Sequence, residues 1–146
     1  DLSFLARLWR SSGGSCDFSP TPFTDLDPDS FAFRDIACIY HLGITGGTTA
    51  TTYSPADNVT REQMAAFLAR LWRVLGGPCD SASTPFSDLE TDSFSFDDVA
   101  CIYHLGVTTG TGATTYSPAN DVTREQMASF LARLWRSAAA DGLRGT

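Results

Sequence analysis

Lysine is absent from this chain. All ten basic side chains are arginine, set against 17 acidic ones, for a net charge of −7 over 146 residues. No run of basic residues occurs, which argues against nucleic-acid binding, because phosphate neutralisation supplies most of that affinity. The same lack argues against docking on anionic membranes. No apolar run approaches the ~20 residues that a membrane-spanning helix needs, so membrane insertion is not expected. The chain has only two histidines, and neither stands near a Ser or Cys in a nucleophile arrangement. No active site is read, and the chain is expected not to be an enzyme. It opens at Asp1 rather than Met and shows no signal peptide, so it reads as a processed or trimmed piece of a longer protein.

What is present is a repeat. Phe4-Leu5-Ala6-Arg7-Leu8-Trp9-Arg10 recurs unchanged at 67–73 and 130–136, an offset of 63 each time. Laid over 67–136 without a gap, residues 4–73 are identical at 52 of 70 positions. A fixed period takes precedence over local patterns. The chain therefore divides into the tail of one repeat (1–10), two whole repeats (11–73 and 74–136) and a short, frayed tail (137–146).

Each repeat reads as two helices joined by a Gly/Thr-rich loop. In the first helix Phe33, Ile36, Ala37 and Tyr40 share a face, Asp29 or Ser30 is expected to cap its start, and Gly43 ends it. The second opens with Thr60-Arg61-Glu62-Gln63, a capping box, with Val59 placed to pack on Met64. Its apolar stripe runs Met64, Phe67, Leu68, Leu71, Trp72, Leu75. Neither helix hides its stripe alone, so neighbouring repeats must cover each other. The expected class is all-α: tandem two-helix repeats.

The ordered set Phe23-Thr24-Asp25, Ile39 to Gly43-Ile44, Gly47, Tyr53-Ser54-Pro55, Val59-Thr60-Arg61 resembles an S-layer homology (SLH) repeat. It returns as Phe86-Ser87-Asp88, Ile102 to Gly106-Val107, Gly110, Tyr116-Ser117-Pro118, Val122-Thr123-Arg124. The resemblance implies helical repeats packed as a pseudo-threefold spindle or short solenoid. It also implies a secreted protein held non-covalently at the cell wall or surface through wall polysaccharide, often a pyruvylated sugar, in grooves between repeats. The Arg of the Thr-Arg pair would contact that ligand. Gln63 and Gln126 stand where the family often has Glu, and Phe33 and Phe96 stand near its usual Trp.

The candidate ligand residues lie at the helix starts and in the loops. Arg61 and Arg124 sit at helix starts, where free amides suit an anion and a guanidinium fork suits a carboxylate. The alternative is a surface ion pair with Glu62 or a loop Asp. Thr60 and Thr123 close those helix starts. Gly47 and Gly110, in loops Thr45–Thr49 and Thr108–Gly112, let a ligand approach the backbone, or simply supply positive φ. Trp9, Trp72 and Trp135 are assigned to core packing ahead of sugar stacking. The Asn58-Val59-Thr60 sequon lies inside a helix cap and is treated as chance.

Cys16, Cys38, Cys79 and Cys101 obey the period, with 22 positions inside each pair. Disulfides Cys16–Cys38 and Cys79–Cys101 are the simplest reading, each closing a loop worth roughly 3 kcal/mol in the chain-entropy model. The runner-up is zinc held with His41 and His104. No cofactor is expected. Asp25-x-Asp27-x-Asp29 leaves room only for a weak calcium site, since it lacks the later glycine and glutamate. The expected function is a non-catalytic anchor on cell-wall glycan. The competing class is a structural repeat that assembles with copies of itself into a fibre or lattice, and a third reading is an adhesin for a protein partner.

Overall fold

The computed structural model describes residues 2–143. Among them it contains five α-helices and no strand: α1 (Ser3–Ser11), α2 (Phe33–His41), α3 (Arg61–Val74), α4 (Phe96–His104) and α5 (Arg124–Ala140). One β-bridge, Thr60 with Asp121, lies outside them. The all-α class holds. The described residues through Asp57 form one compact unit and Asn58–Leu143 another. In the first, α1 packs on α2; in the second, α3 packs on α4 and α5. Each unit thus begins with the last helix of one repeat and continues with the first helix of the next.

Local chemistry explains most helix ends. Thr60 Oγ1 accepts from the Gln63 amide while the Gln63 side chain accepts from the Thr60 amide, and Thr123 with Gln126 repeats the box. Gly43 and Gly106 take positive φ, and the amides of Ile44 and Val107 reach back to the carbonyls of Ile39 and Ile102, which closes both helices. The expected cap by Asp29 or Ser30 is corrected. Asp27 accepts the Asp29 amide and Ser30 accepts the Ala32 amide, so these side chains hold preceding turns. Helix α2 starts at Phe33, with no side-chain cap. The expected frayed tail also starts later: α5 runs through Ala140, as the Ser137-Ala138-Ala139-Ala140 stretch favours helix. Residues 144–146 of that tail lie outside the described part.

Both disulfides form, Cys16–Cys38 and Cys79–Cys101, and no free cysteine remains among the described residues. The zinc reading falls with them: no thiolate is left to bind, and His41 and His104 face the Ser19 and Ala82 carbonyls. Each disulfide pins the chain after a repeat's closing helix to the next repeat's first helix. Beside it, Arg10 bonds Asp35 at 2.7 Å and Arg73 bonds Asp98 at 2.8 Å. Trp9 and Trp72 are buried, and each indole N–H donates to a carbonyl just past its helix, of Ser15 and Pro78. Trp135 departs from its expected core role and is 41% exposed. No Gly-Gly pair ends α5 beneath its ring, whereas Gly14 and Gly77 lie directly under the other two.

Candidate functional site

The loops that precede the capped helices are built around an acid and an aromatic. Asp25 accepts the amides of Tyr53 and Ser54; Asp88 accepts those of Tyr116 and Ser117. Ser54 and Ser117 sit at φ 59°, a strained geometry for a non-glycine that these bonds hold in place. The Tyr53 amide, then the Ser54 amide, hold the Asp25 carboxyl below the usual range. For Asp88, burial pushes the carboxyl up. The amides of Tyr116 and Ser117, its own amide and the Arg61 charge outweigh that and lower it. Phe23 packs 5.3 Å from both Tyr40 and Tyr53, and Phe86 does the same with Tyr103 and Tyr116.

Gly47 and Gly110 lie under these phenylalanines. Their φ values are +81° and +84°, and an added Cβ would stand 2.4 Å from the Phe23 or Phe86 ring. Aromatic packing requires glycine at both places. Both oxygens of Asp25 are turned to amides. Among the described residues no group of three acidic, His or Cys side chains is placed to hold a metal ion.

The two arginines diverge. Arg61 is 4% exposed. Its Nε donates to the Tyr116 carbonyl at 2.7 Å and its Nη2 to Thr108 Oγ1 at 3.4 Å. Its guanidinium lies 4.5 Å from the Tyr116 ring centre and 5.6 Å from that of Phe130. Tyr116 returns a bond from its hydroxyl to the Arg61 carbonyl. Arg124, at the equivalent helix start, is exposed and makes no hydrogen bond, ion pair or ring contact among the described residues. The two threonines divide less sharply: Thr60 is half-buried and Thr123 exposed, each engaged as a helix cap.

An open cleft of about 430 Å³ is lined in part by Glu62, Asp88, Glu90, Asp92, Phe94 and Pro118. It brings four carboxylates together and presents no cation. Ser95 donates to Glu62 across this region at 3.3 Å. A smaller counterpart in the first unit, about 300 Å³, is lined in part by Asp25, Asp27, Phe33 and Pro55. Phe94 is 62% exposed and its repeat-mate Phe31 is 71% exposed. Sequence reasoning passed over this pair. Their signal was an aromatic kept at equal places in both copies yet off the helical stripe.

Against known proteins, the profile of the S-layer homology domain matches residues 22–65 and 85–128. The chain is 35% identical to an endoglucanase of Bacillus sp. (strain KSM-635) over 92% of its own length and 14% of that protein. It is 28% identical to a cell surface protein of Thermoanaerobacter kivui, over 77% of the chain and 15% of the relative. It is also 28% identical to an S-layer protein of Bacillus thuringiensis subsp. finitimus, over 67% and 12%. The chain spans only a small fraction of each of these relatives.

Proposed function

The chain belongs to the S-layer homology family, whose modules are non-catalytic anchors at the cell surface, and we propose that this one tethers a larger protein there by binding cell-wall polysaccharide. The observation that supports the finer reading is Phe94, exposed in the lining of a carboxylate-rich cleft; Phe31, its equivalent one repeat earlier, is exposed as well but does not line the smaller cleft of the first unit. A sugar ring offers C–H groups to an aromatic face and hydroxyl donors to carboxylate acceptors. The four carboxylates disfavour an acidic substituent inside the cleft. Arg61 is buried, with Nε and Nη2 engaged by Tyr116 and Thr108, which favours Arg124 over it as the cation for such a substituent. Where the polysaccharide carries a pyruvate ketal, Arg124 is the cation that meets it. Thr60, Thr123, Gly47 and Gly110 act on binding through the shape of the helix starts and loops.

Pull-down on purified cell walls tests this. Phe94→Ala should weaken binding roughly two- to tenfold, in line with the worth of an aromatic contact, and Phe31→Ala with it should weaken binding further. Arg124→Ala should matter only on walls that retain acidic substituents. A double Phe31→Ala/Phe94→Ala variant that binds like the parent overturns the aromatic reading.

A further inference from the structure

Between 11–73 and 74–136 a charge is replaced by its opposite only once, where Arg34 becomes Asp97. Both residues are exposed and stand second in their helices, α2 and α4. The helix dipole favours an acid there and disfavours a cation, so local helix chemistry accounts for Asp97 and not for Arg34. A second change accompanies the first. The Arg34 guanidinium lies 4.0 Å from the ring centre of Phe18, and the second repeat has Ser81 in that place. Phe18 is 40% exposed. Among the described residues Arg34 makes no hydrogen bond or ion pair. Stacking on the ring positions the guanidinium and leaves its N–H donors open.

The acidic cleft of the second unit has the complementary character. Two of its four carboxylates are engaged: Asp88 accepts the amides of its own loop, and Glu62 accepts from Ser95. Glu90 and Asp92 are exposed, and their carboxylates make no hydrogen bond or ion pair among the described residues. Exposed Phe94 shares the lining with them. Two open acids beside an open ring suit a guanidinium that carries an aromatic neighbour. The chain as a whole has a net charge of −7, so copies of it repel in general. A contact between them is favoured where an exposed cation meets open acids.

We infer that the Arg34–Phe18 patch of one copy of this chain docks in the acidic cleft of a second copy, with the guanidinium between Glu90 and Asp92 and the Phe18 ring against Phe94. Opposite charges set the register of the contact, and the paired rings supply its apolar part. The two surfaces differ, so the contact is head to tail and one copy can give and receive at once. A sugar in the cleft would compete with the incoming arginine. The inference does not rest on the glycan reading, because Arg34 and Phe18 are not among the residues that line the cleft. Dilute Arg34→Asp protein should bind cell walls like the parent.

Sedimentation of the intact chain across concentrations up to about 1 mM, where weak association becomes visible, tests the contact. The parent should associate with rising concentration. Arg34→Asp should weaken association about tenfold or more, the scale of an interface anchor. It copies the second repeat's own residue, so the melting temperature should hold or rise. A Glu90→Arg/Asp92→Arg variant, altered only at exposed positions, should lose association to the same degree. Phe18→Ala should weaken it several-fold. The decisive measurement is an equimolar mixture of Arg34→Asp with Glu90→Arg/Asp92→Arg. Each alone should stay monomeric, whereas together one supplies the acidic cleft and the other the arginine, so the mixture should associate. A parent that stays monomeric up to about 1 mM overturns the inference. So does association that Arg34→Asp leaves unchanged, or a mixture that stays as monomeric as its two components.

Discussion

Tyr53 and Tyr116 stand on the same sequence, Ala-Thr-Thr-Tyr-Ser-Pro-Ala, in loops held by equivalent acids. One hydroxyl is buried without a partner and the other donates to a buried carbonyl. The difference comes from an arginine 55 positions earlier than Tyr116, at the start of a helix in the preceding repeat. Local sequence sets the shape of each loop, and the neighbouring repeat decides whether its polar atoms are satisfied. A repeat of this kind has no fixed chemistry of its own. Position in the array assigns it.

The largest test of that contrast is Arg61→Ala beside Arg124→Ala. The first removes a buried cation, two hydrogen bonds and two ring contacts, and should cost about 2–4 kcal/mol. The second should change stability by less than about 0.5 kcal/mol. Paired chemical denaturation curves measure both, and equal losses would erase the asymmetry. Gly110→Ala and Gly47→Ala come next. Each forces a side chain into positive φ and against a phenylalanine ring, and each should cost about 2 kcal/mol or more. Similar losses at the two sites would show that loop packing, unlike the arginine contact, is repeated faithfully.

Tyr116→Phe should cost about 1 kcal/mol through the lost bond to Arg61. Tyr53→Phe should cost nothing, or stabilise slightly, because it removes a buried hydroxyl that has no partner. Thermal melts of the two variants compare them directly, and a loss at Tyr53 as large as at Tyr116 would contradict the contrast.

The smallest effect concerns acid. Asp25 and Asp88 both have folded-state pKa values below the ordinary value, so their ionised forms favour the fold. That contribution is complete above the unfolded value of about 3.9 and fades as pH falls through the lowered folded one. Melting temperature should therefore drop as pH falls below about 4. Asp25→Asn and Asp88→Asn should flatten that drop, the latter also losing the pull of Arg61. An acid transition that neither substitution alters would assign it to other carboxylates.

Features governed by near neighbours were legible in the residues. Thr60 with Gln63 and Thr123 with Gln126 announce their capping boxes three positions apart, and Gly43 before Ile44 announces a closing turn. The cysteine pairing was legible from a repeated spacing. The start of α2 was not legible, because Asp29 and Ser30 suit a turn as well as a cap, and nothing local chooses. Asp35 and Asp98 meet arginines 25 positions away, a pairing that no short motif encodes. Arg61 and Arg124 are indistinguishable in their own segments, as are Trp72 and Trp135. Their environments depend on contacts with a neighbouring copy of the repeat, which nothing in their own segments encodes. Phe31 and Phe94 lie ahead of the helical stripes and are exposed, so apolar periodicity does not single them out.

The 63-residue period and the compact units are out of step, and that offset decides where such an array can be cut. What repeats in the sequence is a stretch of 63 residues; what folds is the end of one copy joined to the beginning of the next, stapled there by a disulfide and an arginine–aspartate pair. A break placed between a closing helix and the cysteine that follows it therefore divides a folded unit, whereas a break ahead of the closing helix leaves that unit whole.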